Sequence, residues 1–320
     1  MESTLWRDEG KDVSHLTTLD EVIEAAGLDF PMVLCQVKTM LPDGNERLEE
    51  NQFNVVRSDT NVTLTRKTVA GSYGLLQNKN LLDIARQLME QGCTPDAAGV
   101  IEDGRRVFCV LNFPEDESTV TDVGSLGGQA EDIILPRIGI FAANDGSGSV
   151  VAKLMSLRMW CNNMYQAAIG QKGYTIHMKH SKNVHDRLAE ATNVLKNMRE
   201  EWIRRIDFYK ALRSKPLPFD QAQMAARRIL KIDTEKPYDE LPTKSRNRIE
   251  ALLGEFNNPE RGAFGKTAFD MFNAVTAYNT HTVNTKKSRL DYAALGDGAK
   301  REDRAMRILA EMIGYDLKEE

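Results

Sequence analysis

The period of apolar positions changes once along the chain. Up to about residue 182 they alternate or form short runs bounded by Gly, Asp, Asn and Ser; from residue 183 they recur at helical spacing. Thr17 to Gly27 predicts a short capped helix, with a hydroxyl lead, acids in the first turn and a glycine stop. Met32 to Met40 predicts a strand. Gln52 to Ser58 and Val62 to Val69 predict two more, around the turn signal Ser58-Asp59-Thr60-Asn61, with the polar stretch Asp43 to Asn51 as a loop. Asn78 to Gln91 places Leu81, Ile84, Ala85 and Leu88 on one side of a helix closed by Gly92. Ala97 to Ile101 and Arg106 to Phe113 flank an Asp103-Gly104 step, a strong hairpin signal.

An acidic, glycine-bearing stretch from Pro114 to Asp132 reads as a surface loop. Ile133 to Ala142 and Val150 to Met159 read as strands, and Tyr174 to Lys179 as one more. Val184 to Leu212, Pro218 to Ile232, Leu241 to Leu253, Ala263 to Val283 and Lys300 to Ile313 then read as helices punctuated by prolines. The pattern predicts an α+β fold: a largely antiparallel sheet with packed helices over residues 1–182, and a helical, basic region over 183–320 packed on it.

Charge sharpens this division. The chain of 320 residues carries 42 Lys and Arg against 47 Asp and Glu, a net −5. Residues 1–150 hold 12 basic against 25 acidic residues, which leaves 30 against 22 beyond, so the halves carry −13 and +8. Either the second half meets a polyanion, or basic helices lie beside an acidic sheet within one molecule. No run approaches the roughly 18–20 apolar residues that span a bilayer, and the N-terminus has no secretory h-region. Cys35, Cys93, Cys109 and Cys161 show no metal-ligand spacing and read as buried free thiols in a reducing compartment. No membrane partner and a cytoplasmic location are expected.

Two places mimic phosphate loops. Asn144-Asp145-Gly146-Ser147-Gly148-Ser149 is followed by a strand-like run, and its first lysine is Lys153. A phosphate loop needs a lysine directly after its glycines and a helix whose N-terminus faces the anion, so a hairpin turn is expected here. Gly265-Lys266-Thr267 lacks the earlier glycine, since Glu260 stands there, and reads as a helix start whose Phe269, Phe272, Val275 and Tyr278 belong to a core. His177, His180 and His185 straddle a strand-to-turn boundary and do not form a metal set. No catalytic residue, metal or cofactor is expected. From Lys153 to Lys210, however, basic residues interleave with Trp160, Tyr165, Tyr174, Trp202, Phe208 and Tyr209, the combination of positive groove and stacking rings that suits single-stranded nucleic acid. A solvated helical face over core aromatics has the same pattern.

Several stretches in one order resemble the phage/plasmid-like family termed domain of unknown function 932. They are Ser58-Asp59-Thr60, Gln77-Asn78, Gly104-Arg105-Arg106-Val107-Phe108, Asn144-Asp145-Gly146-Ser147 and Arg158-Met159-Trp160-Cys161-Asn162-Asn163. The pattern continues through His180, Arg187-Leu188, Gly265-Lys266-Thr267-Ala268-Phe269, Asn273 to Tyr278, His281 and Gly296-Asp297-Gly298-Ala299. Leu75-Leu76 departs from the family's Pro-Val, and the acidic stretch 114–132 is an addition. The resemblance implies a role in DNA replication, recombination or maintenance in mobile genomes. The coarse element order is also similar to that of Redβ/Erf/Sak-type annealing proteins. The expected function is therefore non-enzymatic binding of single-stranded DNA, with annealing as its use. The expected contact residues are Lys153, Arg158, Trp160, Asn162, Asn163, Tyr174, Lys179, His180 and Arg187. The alternative is a self-assembling homo-oligomer whose acidic and basic halves pair between neighbours.

Overall fold

The computed structural model describes residues 5–114, 121–122, 133–147, 149–158, 164–165, 175–179, 186–285 and 288–317. The chain opens with α1 (Leu5–Glu9), β1 (Lys11–Asp12) and α2 (Leu19–Ala26). Strands β2 (Met32–Met40), β3 (Glu46–Arg57) and β4 (Val62–Thr63) precede helices α3 (Asn78–Leu81) and α4 (Asp83–Glu90). Then come β5 (Thr94–Ile101), β6 (Arg106–Asn112), β7 (Thr121–Asp122), β8 (Ile133–Ala143), β9 (Ser149–Arg158), β10 (Met164–Tyr165) and β11 (Thr175–Lys179). Helices α5 (Asp186–Ser214), α6 (Phe219–Leu230), α7 (Thr243–Phe256), α8 (Ala268–Ala277), α9 (Arg289–Ala294) and α10 (Asp297–Ile313) complete the α+β fold.

The main sheet is antiparallel, in the order β1-β5-β6-β8-β9-β10, with β11 also on β9 and β7 also on β8. Its central strands are buried on both faces. Val107, Cys109, Ile138, Ile140, Ala152 and Leu154 join a large cluster with Leu88 of α4, Tyr209 of α5 and Phe272 of α8. The opposite face, carrying Phe108, Val110, Phe141, Val151 and Met155, is covered by Trp6 and by Leu290, Ala293 and Ala294 of α9. Burial on both faces explains why these strands read as continuous apolar runs rather than alternating ones.

The expected capped helix is present. Thr18 and Glu21 form a reciprocal capping box at the start of α2, and Gly27 ends it in the left-handed conformation at φ 65°. Three expectations change. The polar stretch Asp43 to Asn51 is not all loop: β3 begins at Glu46 and pairs with β2 in a long hairpin. Its first half, Glu46 to Asn51, is mostly exposed on both sides, so no apolar alternation betrays it. The helix expected over Asn78 to Gln91 is split at Leu82 into α3 and α4. Helix α9, with fewer than two turns, is not predicted by the periodicity.

Of the cysteines, Cys93 and Cys109 are buried free thiols, pushed up to about 12 chiefly by burial, whereas Cys35 is free and exposed. No helix among the described residues is long and apolar enough to cross a membrane.

Candidate functional site

The two phosphate-loop mimics are occupied by the protein's own groups. Residues 144–147 turn between β8 and β9, as expected. Asn144 is buried, and its Nδ2 donates to Asn78 Oδ1 at 2.8 Å and to the Gly104 carbonyl at 2.9 Å. Asp145 Oδ1 accepts from the Ser147 backbone at 3.0 Å, an Asx turn. Gly146 stands at φ 84°, and a Cβ there would lie 2.9 Å from Val69 Cγ1. The turn therefore binds the hairpin end to the segment after β4, with the Asn144 amide spent inward.

The second mimic holds an internal carboxylate where an anion would sit. Asp270 accepts from the backbone N–H groups of Phe264 (3.2 Å), Lys266 (3.0 Å) and Thr267 (2.9 Å), and from the Thr267 hydroxyl at 3.0 Å. Thr267 Oγ1 in turn accepts from the Asp270 N–H at 3.2 Å, closing a capping box at the start of α8. Phe269, Phe272, Val275 and Tyr278 are buried, as expected for a core face.

The contact residues expected from sequence fare differently. Arg158 ends β9, Lys179 ends β11 and Arg187 lies in the first turn of α5. Nothing is described of their side chains, and Trp160, Asn162, Asn163, Tyr174 and His180 lie outside the described residues, as do His177's ring and His185. Lys153 is a correction. It is buried on β9, and its Nζ donates to the Ala294 carbonyl of α9 at 3.1 Å. Burial pushes its ammonium below the usual lysine range, against Asp303 and Glu302 and together with Arg205. A group so enclosed does not face a polyanion. Trp202, Phe208 and Tyr209 are likewise core residues, not stacking platforms. Among the described residues, no three His, Cys, Asp or Glu side chains converge to hold a metal ion.

A different basic surface is assembled by α7, the turn after α8, and α10. These elements enclose an open cleft of about 690 Å³ lined by Lys244, Asn247, Arg248, Tyr278, Thr282 and Arg301, among others. No carboxylate is among its described lining residues. Lys244 and Arg248 lie one helical turn apart on one face of α7. Arg248 Nη2 donates to the Leu230 carbonyl at 3.3 Å, and Arg304 Nη1 donates to the Ile229 carbonyl at 2.6 Å. The C-terminus of α6, where unpaired carbonyls attract cations, thus gathers arginines from α7 and α10. Burial lowers the Arg304 guanidinium from its usual range, and the neighbouring Arg301 and Arg307 charges lower it further. That like-charge crowding would be relieved by an anion. Sequence reading passed over this surface. Its one signal is Lys244-x-Arg246-x-Arg248, a basic run from Leu241 to Ile249 without an acid.

His281 stands beside the cleft, half-buried in the turn after α8. Burial holds its imidazole down to about 4, aided by Arg261 and Arg289 and opposed by Glu255. A folded pKa below the ordinary 6.5 means that the unfolded chain binds the proton more readily. The resulting stability is complete above pH 6.5 and disappears as pH falls through 4. The melting-temperature gap between the wild-type chain and His281→Gln is therefore expected to narrow over that window; a constant gap from pH 7 to pH 4 contradicts it.

The family model described as "Domain of unknown function (DUF932)" matches residues 66–305, about three quarters of the chain, including every cationic residue that lines the cleft. No curated protein and no solved structure matches the chain at a significant level.

Proposed function

We propose a function for this chain from one premise: it belongs to the DUF932 family, the domain of unknown function 932. That description names no activity, so the reading rests on the site. It is a non-enzymatic protein that binds single-stranded nucleic acid, single-stranded DNA in the first instance, with its backbone phosphates in the cleft of α7 and α10. The observation that carries this reading is the cleft wall itself, to which Lys244, Arg248 and Arg301 contribute with no carboxylate among the described lining residues. Polyanion affinity comes from such unneutralised cations, through release of counterions from the phosphate backbone. A cytoplasmic location in a bacterial host and a use in strand annealing or recombination belong to the same proposal. Arg158, Lys179 and Arg187 remain contact residues in it; Lys153 does not.

The test is a fluorescence-anisotropy titration with a labelled oligonucleotide of about 20 nucleotides. Three engaged cations predict a log–log salt slope of about −2 for a single strand, or roughly 20-fold weaker binding at about 200 mM than at about 50 mM salt. The double variant Lys244→Glu, Arg248→Glu is expected to lose most of the affinity, and Lys244→Glu alone, at an exposed position, to lose part of it while keeping its melting temperature. Absence of binding by the wild-type chain at about 50 mM salt sinks the reading.

One observation favours a second reading, a self-assembling component. The β2–β3 hairpin leaves Val33, Met40 and Leu48 exposed, on the acidic half of the chain. Light scattering across ionic strengths, without nucleic acid, separates the two. Salt-sensitive oligomers support self-assembly, and a monomer at every salt concentration removes it.

A further inference from the structure

Helix α8 does not end in an ordinary turn. Tyr278–Thr282 form a π-helical turn, a rare element that concentrates at functional sites. Its residues converge on one guanidinium. Tyr278 lays its ring 5.2 Å from Arg301 Cζ. Asn279, fully buried, accepts from Arg301 Nη1 through Oδ1. The Asn279 amide cannot flip to present its nitrogen instead, because Nδ2 already donates to the Gly298 carbonyl at 3.0 Å and to Glu302 Oε1 at 3.1 Å. The Tyr292 hydroxyl accepts from the same Arg301 Nη1 at 2.9 Å.

One nitrogen of Arg301 is therefore held twice, and a ring lies against its plane. Its other edge, Nε and Nη2, has no protein partner among the described residues, and Arg301 lines the cleft. That edge is the fork that meets two oxygens of an oxyanion at once. A guanidinium fixed beforehand loses less side-chain freedom when it binds.

We propose that Tyr278, Asn279 and Tyr292 hold Arg301 as a pre-organised phosphate subsite, with the Nε/Nη2 edge donating to two oxygens of one phosphate group of the bound strand. The identity of the polymer rests on the nucleic-acid reading above; the chemistry of the subsite is that of a phosphate oxyanion. Tyr292 and Asn279 are positioning residues, acting through Arg301 and not on the ligand.

Three variants test it: Arg301→Gln, Arg301→Lys and Tyr292→Phe. Each is measured for melting temperature, oligonucleotide affinity, salt slope and thermal stabilisation by inorganic phosphate. Arg301→Gln is expected to lose about tenfold in affinity and to reduce the salt slope by about 0.7, the signature of one lost phosphate contact on a single strand. Arg301→Lys keeps the charge and the slope but loses about tenfold, because an ammonium has no fork. Tyr292→Phe keeps the slope and loses about 3- to 10-fold, with an unchanged melting temperature. A purely structural Tyr292 would move the melting temperature and leave affinity alone, and that result overturns the proposal. So does an Arg301→Gln variant whose salt slope equals the wild-type value. If the wild-type chain ignores oligonucleotides, yet inorganic phosphate stabilises it and not Arg301→Gln, the nucleic-acid reading falls and the subsite stands.

Discussion

Asp96→Ala is expected to lower the unfolding free energy by about 3–5 kcal/mol, the range for stripping one partner from a buried ion pair. Asp96 sits on β5 with a side chain that is 5% exposed. Its carboxylate accepts from Trp6 Nε1 at 2.8 Å and from Arg7 Nε at 3.1 Å, and it pairs with Arg137 Nε of β8 at 3.5 Å. Trp6 is fully buried and covers one face of the sheet. Removing the carboxylate leaves the indole N–H without its acceptor and the Arg137 charge without compensation. The guanidinium of Arg137 is already lowered from its usual range by burial, with Asp96 pulling the other way. Alanine removes that opposing pull. Urea denaturation of Asp96→Ala and Asp96→Asn against the wild-type chain is the measurement. Asn retains an acceptor for Trp6 and should lose less than Ala. A loss below about 1 kcal/mol for Ala would place Asp96 in the class of surface pairs, which contribute little.

The second large effect is expected at Asp270. Its carboxylate gathers three backbone N–H groups and the Thr267 hydroxyl, and its own N–H closes the cap of α8. Asp270 is fully buried, so water does not replace these bonds when the side chain is cut. Loss of a charged acceptor costs about 1.5–3 kcal/mol, and loss of a helix cap about 1 kcal/mol. Asp270→Ala should therefore lose about 2–4 kcal/mol in a chemical-denaturation series. Asp270→Asn, which keeps one acceptor oxygen but not the charge, should fall between. Addition of ATP to the wild-type chain tests the phosphate-loop question. If Gly265-Lys266-Thr267 were a nucleotide site, wild-type protein would be stabilised by ATP; with Asp270 in the nest, no such stabilisation is expected.

Much of the architecture was legible in the chain. The capping box Thr18-x-x-Glu21 and the turn at residues 144–147 follow from side chains that satisfy nearby backbone, and the Asp103-Gly104 turn from residues that tolerate positive φ, relations carried by spacing alone. The family resemblance was legible because its stretches keep their order along the chain. Exposed elements were harder. Strand β3 runs through Glu46 to Asn51, where both faces meet solvent and the sequence carries no alternation to read.

The proposed binding surface was least legible, because burial and convergence are properties of three dimensions. Lys153 looked like a phosphate contact until α9 closed over its sheet face and supplied the Ala294 carbonyl. Lys244 and Arg248 are near neighbours in sequence, but Arg301 joins them only because α7 and α10 both pack against α8. The sequence by itself determined most of the elements, the caps carried by local spacing and the separation of negative and positive charge between the two halves, since local hydrogen bonding and composition need no tertiary contact. Only the tertiary structure decided which cations remain free to meet an anion, because that depends on which charges the packed elements bury or pair and which they leave facing an open cleft.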